Sequence, residues 1–232
     1  LAMITSLKHR TEASANAVLA TLDNGVRVVV LPLPHLATAN VSVFVRSGSQ
    51  HESPRLNGIS HVMEHMAFKG TRTRDCQRIN LDAERLGAEV NAHTDKDHTA
   101  YHMRGLAAHA PRFIRMLGDI VRESTFPEEE LERERRVILH EVADDEDDPL
   151  TIAFQLFDRA SFGTHPAGQP VIGRRANIER FTRDDLLGYV QRQYSGANMV
   201  VGVAGDVDAA AVLAATEAAF GGLPAGAENA LT

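Results

Sequence analysis

Chemistry is written most openly in GISHVMEHMAFKGT, residues 58–71. Ile59, Val62, Met63, Met66, Ala67 and Phe68 call for a buried helix, yet His61, Glu64 and His65 sit among them. Helix residues four apart share a face, so His61 and His65 present two imidazoles to one point, and Glu64 reaches the same volume from the side. Two imidazoles begin a zinc site, and a carboxylate that is not a ligand can take a proton from a metal-bound water. The pattern is H-x-x-E-H, the inverse of the commoner H-E-x-x-H zinc helix. Two core histidines bonded to backbone, beside a partly exposed glutamate, compete with this reading, because so short a pattern arises by chance.

A further ligand would decide between the two, and the segment from Pro127 to Ala143 offers candidates. Its apolar stripe runs through Leu131, Ile138 and Val142, and a seven-residue spacing puts Glu134 and Glu141 in or beside that stripe. Glu132, Arg133, Arg136 and His140 fall off it. Carboxylates facing a core are costly unless they serve a cation. An amphipathic surface helix with glutamates at its stripe edge is the plain alternative.

These residues need elements to hold them. A turn at Asp23-Asn24-Gly25 between apolar runs predicts a hairpin, and the alternation of Val41, Val43 and Val45 predicts a third strand. Asp75 to Leu86 reads as a helix with Gly87 as a left-handed cap. Two strands are expected around a polar Thr94–Asp97 turn. Helices follow near 108–123 and 127–143, the second ended by the acidic run 144–148 and Pro149. Others are expected near 150–160, 182–193 and 208–220, with one strand in NMVVGVAGD. Strands early and helices late, without regular alternation, give an α+β class.

Composition bounds the rest. The chain has 232 residues, 44% hydrophobic and 24% charged, enough for one well-filled core. No apolar run reaches transmembrane length. A formal net charge of −7 argues against nucleic acid as the partner. The lone Cys76 excludes an internal disulfide framework, lacks an obvious paired base and fits a reducing compartment, so a cytoplasmic setting is expected, with periplasmic and organellar ones left open. Residues 1–16 lack the apolar core of a secretory signal and read as a disordered lead-in, 17–222 as one domain, and 223–232 as a polar tail. His93, His98 and His102 raise the idea of a second metal site, but polar hairpin strands more often turn such residues to solvent.

In order and separation, GISHVMEHMAFKGT, NAHTDKDHTAY, ELERERRVILHEVADDEDDP and HPAGQPVIG resemble the inverzincin metallopeptidases of the pitrilysin and insulinase type, in particular the branch of mitochondrial processing peptidase and its bacterial relatives. The resemblance spans about Ala17 to Gly222. It implies a LuxS/MPP-like metallohydrolase fold, with a mainly antiparallel, mixed sheet of about six strands flanked by helices. It implies one Zn2+ per chain held by His61, His65 and Glu141, with Glu64 as general base and Glu134 as the acidic residue supporting catalysis. Asn91, Ala92, His93 and Thr94 correspond to the edge strand that binds an extended peptide. Asp95 and Asp97 stand where the family usually has Ser and Glu. The family builds its chamber from two homologous halves, and only the first is recognisable here. A homologous second half or subunit, or self-association, is therefore expected, with a peptide substrate for which the acidic segments favour basic sequences. Alternatives are a peptide-binding scaffold subunit that does not cut, which typically lacks parts of the metal motif, and a non-peptidase metalloenzyme of the same fold.

Overall fold

The computed structural model describes residues 7–13 and 17–229. Seven strands form one sheet: β1 (Leu7–Ala13), β2 (Ala17–Leu22), β3 (Arg27–Pro32), β4 (Thr38–Val45), β5 (Glu89–Thr94), β6 (Thr99–Leu106) and β7 (Met199–Gly205), in the order β1-β2-β3-β7-β4-β6-β5. All neighbours are antiparallel except β3 and β7, where the late strand enters beside the first hairpin. The six expected strands are all present. The seventh is β1, inside the segment expected to be a lead-in. It pairs antiparallel with β2.

Among the described residues there are eight α-helices: α1 (Ile59–Ala67), α2 (Cys76–Arg85), α3 (Ala110–Glu123), α4 (Glu128–Asp147), α5 (Pro149–Phe162), α6 (Arg175–Ile178), α7 (Arg183–Gln193) and α8 (Ala209–Phe220). The sheet is two-faced, as strict alternation requires. Val28, Val30, Val41, Val43, Val45, Val201 and Val203 point into a core shared with Phe113, Ile114 and Leu117 of α3 and Leu213 of α8. The opposite face leaves Leu19, Leu31 and Phe44 partly open. Among the described residues no helix is long and apolar enough to cross a membrane.

Two boundaries differ from expectation for physical reasons. Helix α4 runs through the acidic segment to Asp147 rather than ending before it. Exposed carboxylates near a helix C-terminus cost only about 0.3–1 kcal/mol each, too little to stop it. Asp148 then caps α5, accepting from the Leu150 and Thr151 amides, with Pro149 at the first position where a missing N–H costs nothing. Residues 224–229, expected as part of a polar tail, pack on the domain: the Gly196 and Ala197 amides donate to the Pro224 and Ala225 carbonyls, and the Asn229 amide donates to Asn198 Oδ1. Gly87 does adopt the expected left-handed conformation after α2, at φ +59°.

Candidate metal centre

Helix α1 carries the H-x-x-E-H residues, and its direction is fixed at its start. Gly58 stands at the N-cap and has no side chain to offer, so the buried Glu52 carboxylate does the capping, accepting from the Gly58 amide at 2.7 Å and the Ser60 amide at 2.8 Å. A carboxylate there also complements the positive end of the helix. The Ser60 hydroxyl meets Tyr189 of α7 at 2.9 Å, and Tyr189 meets Ser47 at 2.8 Å, which ties the helix to the end of β4. Val62, Met63 and Met66 bury the other side of α1 in the core.

Against the open side of α1 lies α4. His61 Nε2 is 3.7 Å and His65 Nε2 3.5 Å from Glu141 Oε2, and the donor atoms of these three residues lie within 4.8 Å of one another. Glu64 does not belong to this cluster, although its charge is close enough to act on Glu141. Burial raises the Glu141 carboxyl; His65 pulls it down, while Glu64, Glu134 and Asp145 add to the rise. The His61 pKa is pushed down to about 4 by burial and then by His65, so this ring is neutral at neutral pH, as a metal ligand must be.

Glu134 lies behind His65. Its Oε2 is 3.0 Å from His65 Nδ1, and its Oε1 takes the Lys69 ammonium at 2.6 Å. Burial pushes this carboxyl up, but Lys69 and then His65 outweigh it, and the net shift is downward. The anion therefore accepts the His65 Nδ1–H and leaves Nε2 free to face Glu141. Two imidazoles, one of them oriented from behind, and one carboxylate make a donor set suited to a tetrahedral zinc ion with one position left over.

The residues expected to bind peptide lie on β5, the edge strand beside β6. Thr94 Oγ1 donates to the Ser60 carbonyl of α1 at 3.4 Å, and Ala92 is buried on the same side. Asn91 and His93 alternate to the other face; Asn91 Oδ1 accepts from the Ala92 amide at 2.8 Å. Among the described residues no strand pairs with the outer edge of β5. Cys76, at the first position of α2, has the Asn80 amide nitrogen 3.9 Å from its sulfur and stands apart from the site. Lys69, which holds Glu134, and Glu52, which caps α1, are contacts of the candidate site that the sequence pattern does not reveal. Lys69 follows a helix end where a charge needs no explanation, and Glu52 precedes its helix by a loop.

Residues 27–175 match the family described as insulinase (peptidase family M16), and residues 180–231 match the peptidase M16 inactive domain. The chain belongs to the M16 peptidase family. It is 37% identical over 187 residues to the uncharacterized zinc protease YmxG of Bacillus subtilis, covering 81% of this chain and 46% of that protein. It is 34% identical over 209 residues to the mitochondrial-processing peptidase subunit beta of Lentinula edodes, covering 90% of this chain and 45% of the relative. A protease from Helicobacter pylori superposes with a TM-score of 0.85 at 27% identity, over 92% of this chain and 52% of that one. The M16 chain thus spans about half the length of the relatives it matches.

Proposed function

We propose that this M16 chain is the zinc-binding catalytic half of an endopeptidase that hydrolyses extended peptides. The observation that carries the reading is the convergence of His61, His65 and Glu141 within 4.8 Å, with Glu64 beside them and outside the donor cluster. A zinc ion held by these three residues would supply a Lewis acid for the peptide carbonyl and an acidified water near neutral pH. Glu64 accepts the proton of the attacking water and returns it to the leaving amine. Glu134 and Lys69 keep His65 in one tautomer and one orientation. The free edge of β5 receives the substrate as an added strand, through backbone hydrogen bonds that are indifferent to side-chain identity. Glu64, Glu141 and Asp145 make the surroundings acidic and favour basic peptides. A scaffold role is disfavoured because every position needed for ligation and proton transfer is filled.

Metal analysis combined with cleavage of a mixed peptide library tests this, in the presence of a homologous second half. His61→Ala, His65→Ala and Glu141→Ala should each reduce bound zinc well below one per chain. Glu64→Gln should keep zinc and lose hydrolysis, because it removes the base and not a ligand. Full zinc occupancy in a His61→Ala, Glu141→Ala double variant would refute the assignment, as would undiminished hydrolysis by Glu64→Gln.

A further inference from the structure

On the face of the sheet turned away from α1, three histidines gather at the end of the β5–β6 hairpin. His93 lies near the end of β5, His98 in the turn, and His102 on β6 opposite Asn91. His93 Nε2 and His98 Nε2 are 3.3 Å apart, and the His93 and His102 ring centroids are 5.9 Å apart. Asp97 Oδ1 lies 2.6 Å from His98 Nδ1. Phe44 of β4 lies against the His98 ring, with centroids 5.5 Å apart. We infer that His93 and His98 form a second metal site for a divalent transition ion of the zinc type, which His102, its ring centroid 5.9 Å from that of His93, completes by a side-chain rotation.

The argument rests on the two ring nitrogens. Asp97 accepts a hydrogen bond from His98 Nδ1–H, and in that tautomer the lone pair lies on Nε2, the nitrogen aimed at His93. A carboxylate behind a histidine is the arrangement that orients metal-ligating imidazoles. Metal–nitrogen bonds of about 2.0–2.1 Å in a tetrahedron place two ligating nitrogens about 3.3 Å apart, which matches the His93–His98 spacing without rearrangement. A hydrogen bond between the rings, with Asp97 fixing the His98 tautomer, is the competing account, and it leaves only His102 without a part. The two ligands flank the Thr94–Asp97 turn, so an ion there would staple the hairpin whose outer strand is the free edge.

Zinc titration of the 232-residue chain, read by calorimetry and metal analysis, tests the inference independently of peptidase activity. Two zinc ions per chain are expected. His93→Ala with His98→Ala should leave one, and a His61→Ala, His65→Ala variant should also retain one. Cu2+ bound to the latter variant should show nitrogen hyperfine structure that disappears in His98→Ala. Asp97→Asn, which keeps all three ligands, should weaken the second ion about tenfold or more and leave the first unchanged. Hydrogen exchange of the Asp95–Asp97 amides should slow when zinc is added to the His61→Ala, His65→Ala variant. One zinc in the wild-type chain, or a second ion indifferent to His98→Ala and Asp97→Asn, would overturn the proposal.

Discussion

At the scale of single residues, what separates a metal ligand from a buried histidine is the control of its proton. His65 is controlled from behind by Glu134, itself held by Lys69. His61 is kept neutral by burial, with its Nδ1 buried and unpaired among the described residues. Replacing Glu134 by Gln keeps the shape but removes the charge that orders His65. Zinc affinity, measured by competition with a chelator, should fall about 10–100-fold, with the fold unchanged by circular dichroism. Unaltered affinity would show that the Glu134 carboxylate is not what orients His65. The histidine pair, Glu64 and both α4 glutamates were legible in sequence because helical spacing converts directly into a shared face. Lys69 and Glu52 were not, since their partners are set by how segments meet in space. The same limit left the histidine cluster undecided: His93, His98 and His102 suggested a second metal site in sequence, but their expected turn to solvent says nothing about their distance from one another.

At the scale of elements, the start of α1 is where separate parts of the chain must agree. Gly58 sits at φ +102°, and an added Cβ at Gly173 would come within 2.3 Å of the Gly58 Cα. The HPAGQPVIG loop therefore presses backbone to backbone on the start of α1, with Asn57 Nδ2 donating to the Pro170 carbonyl at 2.9 Å. Gly173→Ala should destabilise the chain by about 1–3 kcal/mol in chemical denaturation and lower zinc affinity as well, because the clash is relieved only by moving α1. Wild-type stability and affinity together would mean that the contact is not tight. His51, one residue before the capping Glu52, gives this region a pH dependence. Its buried Nδ1 accepts from the Gly48 amide, and burial followed by Arg46 lowers its pKa below the usual 6.5. A depressed folded pKa means that the unfolded chain takes up the proton first. Stability is then present above about pH 6.5 and lost as pH falls through the lowered folded value. Thermal unfolding of the zinc-free chain between neutral and mildly acid pH should show this slope. His51→Asn, whose carbonyl oxygen accepts without titrating, should flatten it; an equally steep slope in that variant would remove His51 as the cause. Most elements were visible as periodicity and punctuation, but α6 and β1 were not. A four-residue helix has no period to read, and β1 gains its meaning only from pairing with β2.

At the scale of the whole molecule, α5 is the element that the rest of the domain leaves unexplained. Its sequence, PLTIAFQLFDRASF, is apolar, yet no residue of it is buried, and Leu150, Phe154, Leu156 and Phe157 are each more than 60% exposed. Scattered surface leucines need no account, but four large apolar side chains on one helix that directly follows α4 form a patch that another surface should cover. The covering surface expected here is a homologous second half, since the relatives matched are about twice as long as this chain and one of them is named as a subunit. The proposed zinc ligands and base all lie on α1 and α4, so metal binding should survive in the chain alone, whereas exclusion of water from the site and part of the oxyanion stabilisation should need the second half. The isolated monomer should accordingly cleave long peptides poorly, and the complementary half should raise the rate by orders of magnitude. Phe154→Asp combined with Phe157→Asp should abolish that gain while leaving zinc content at the wild-type level, because it spoils the patch and not the donors. The measurement is peptide cleavage at a concentration where light scattering fixes the oligomeric state. Efficient endopeptidase activity in a strictly monomeric preparation would sink the idea, and so would an undiminished gain in the double variant.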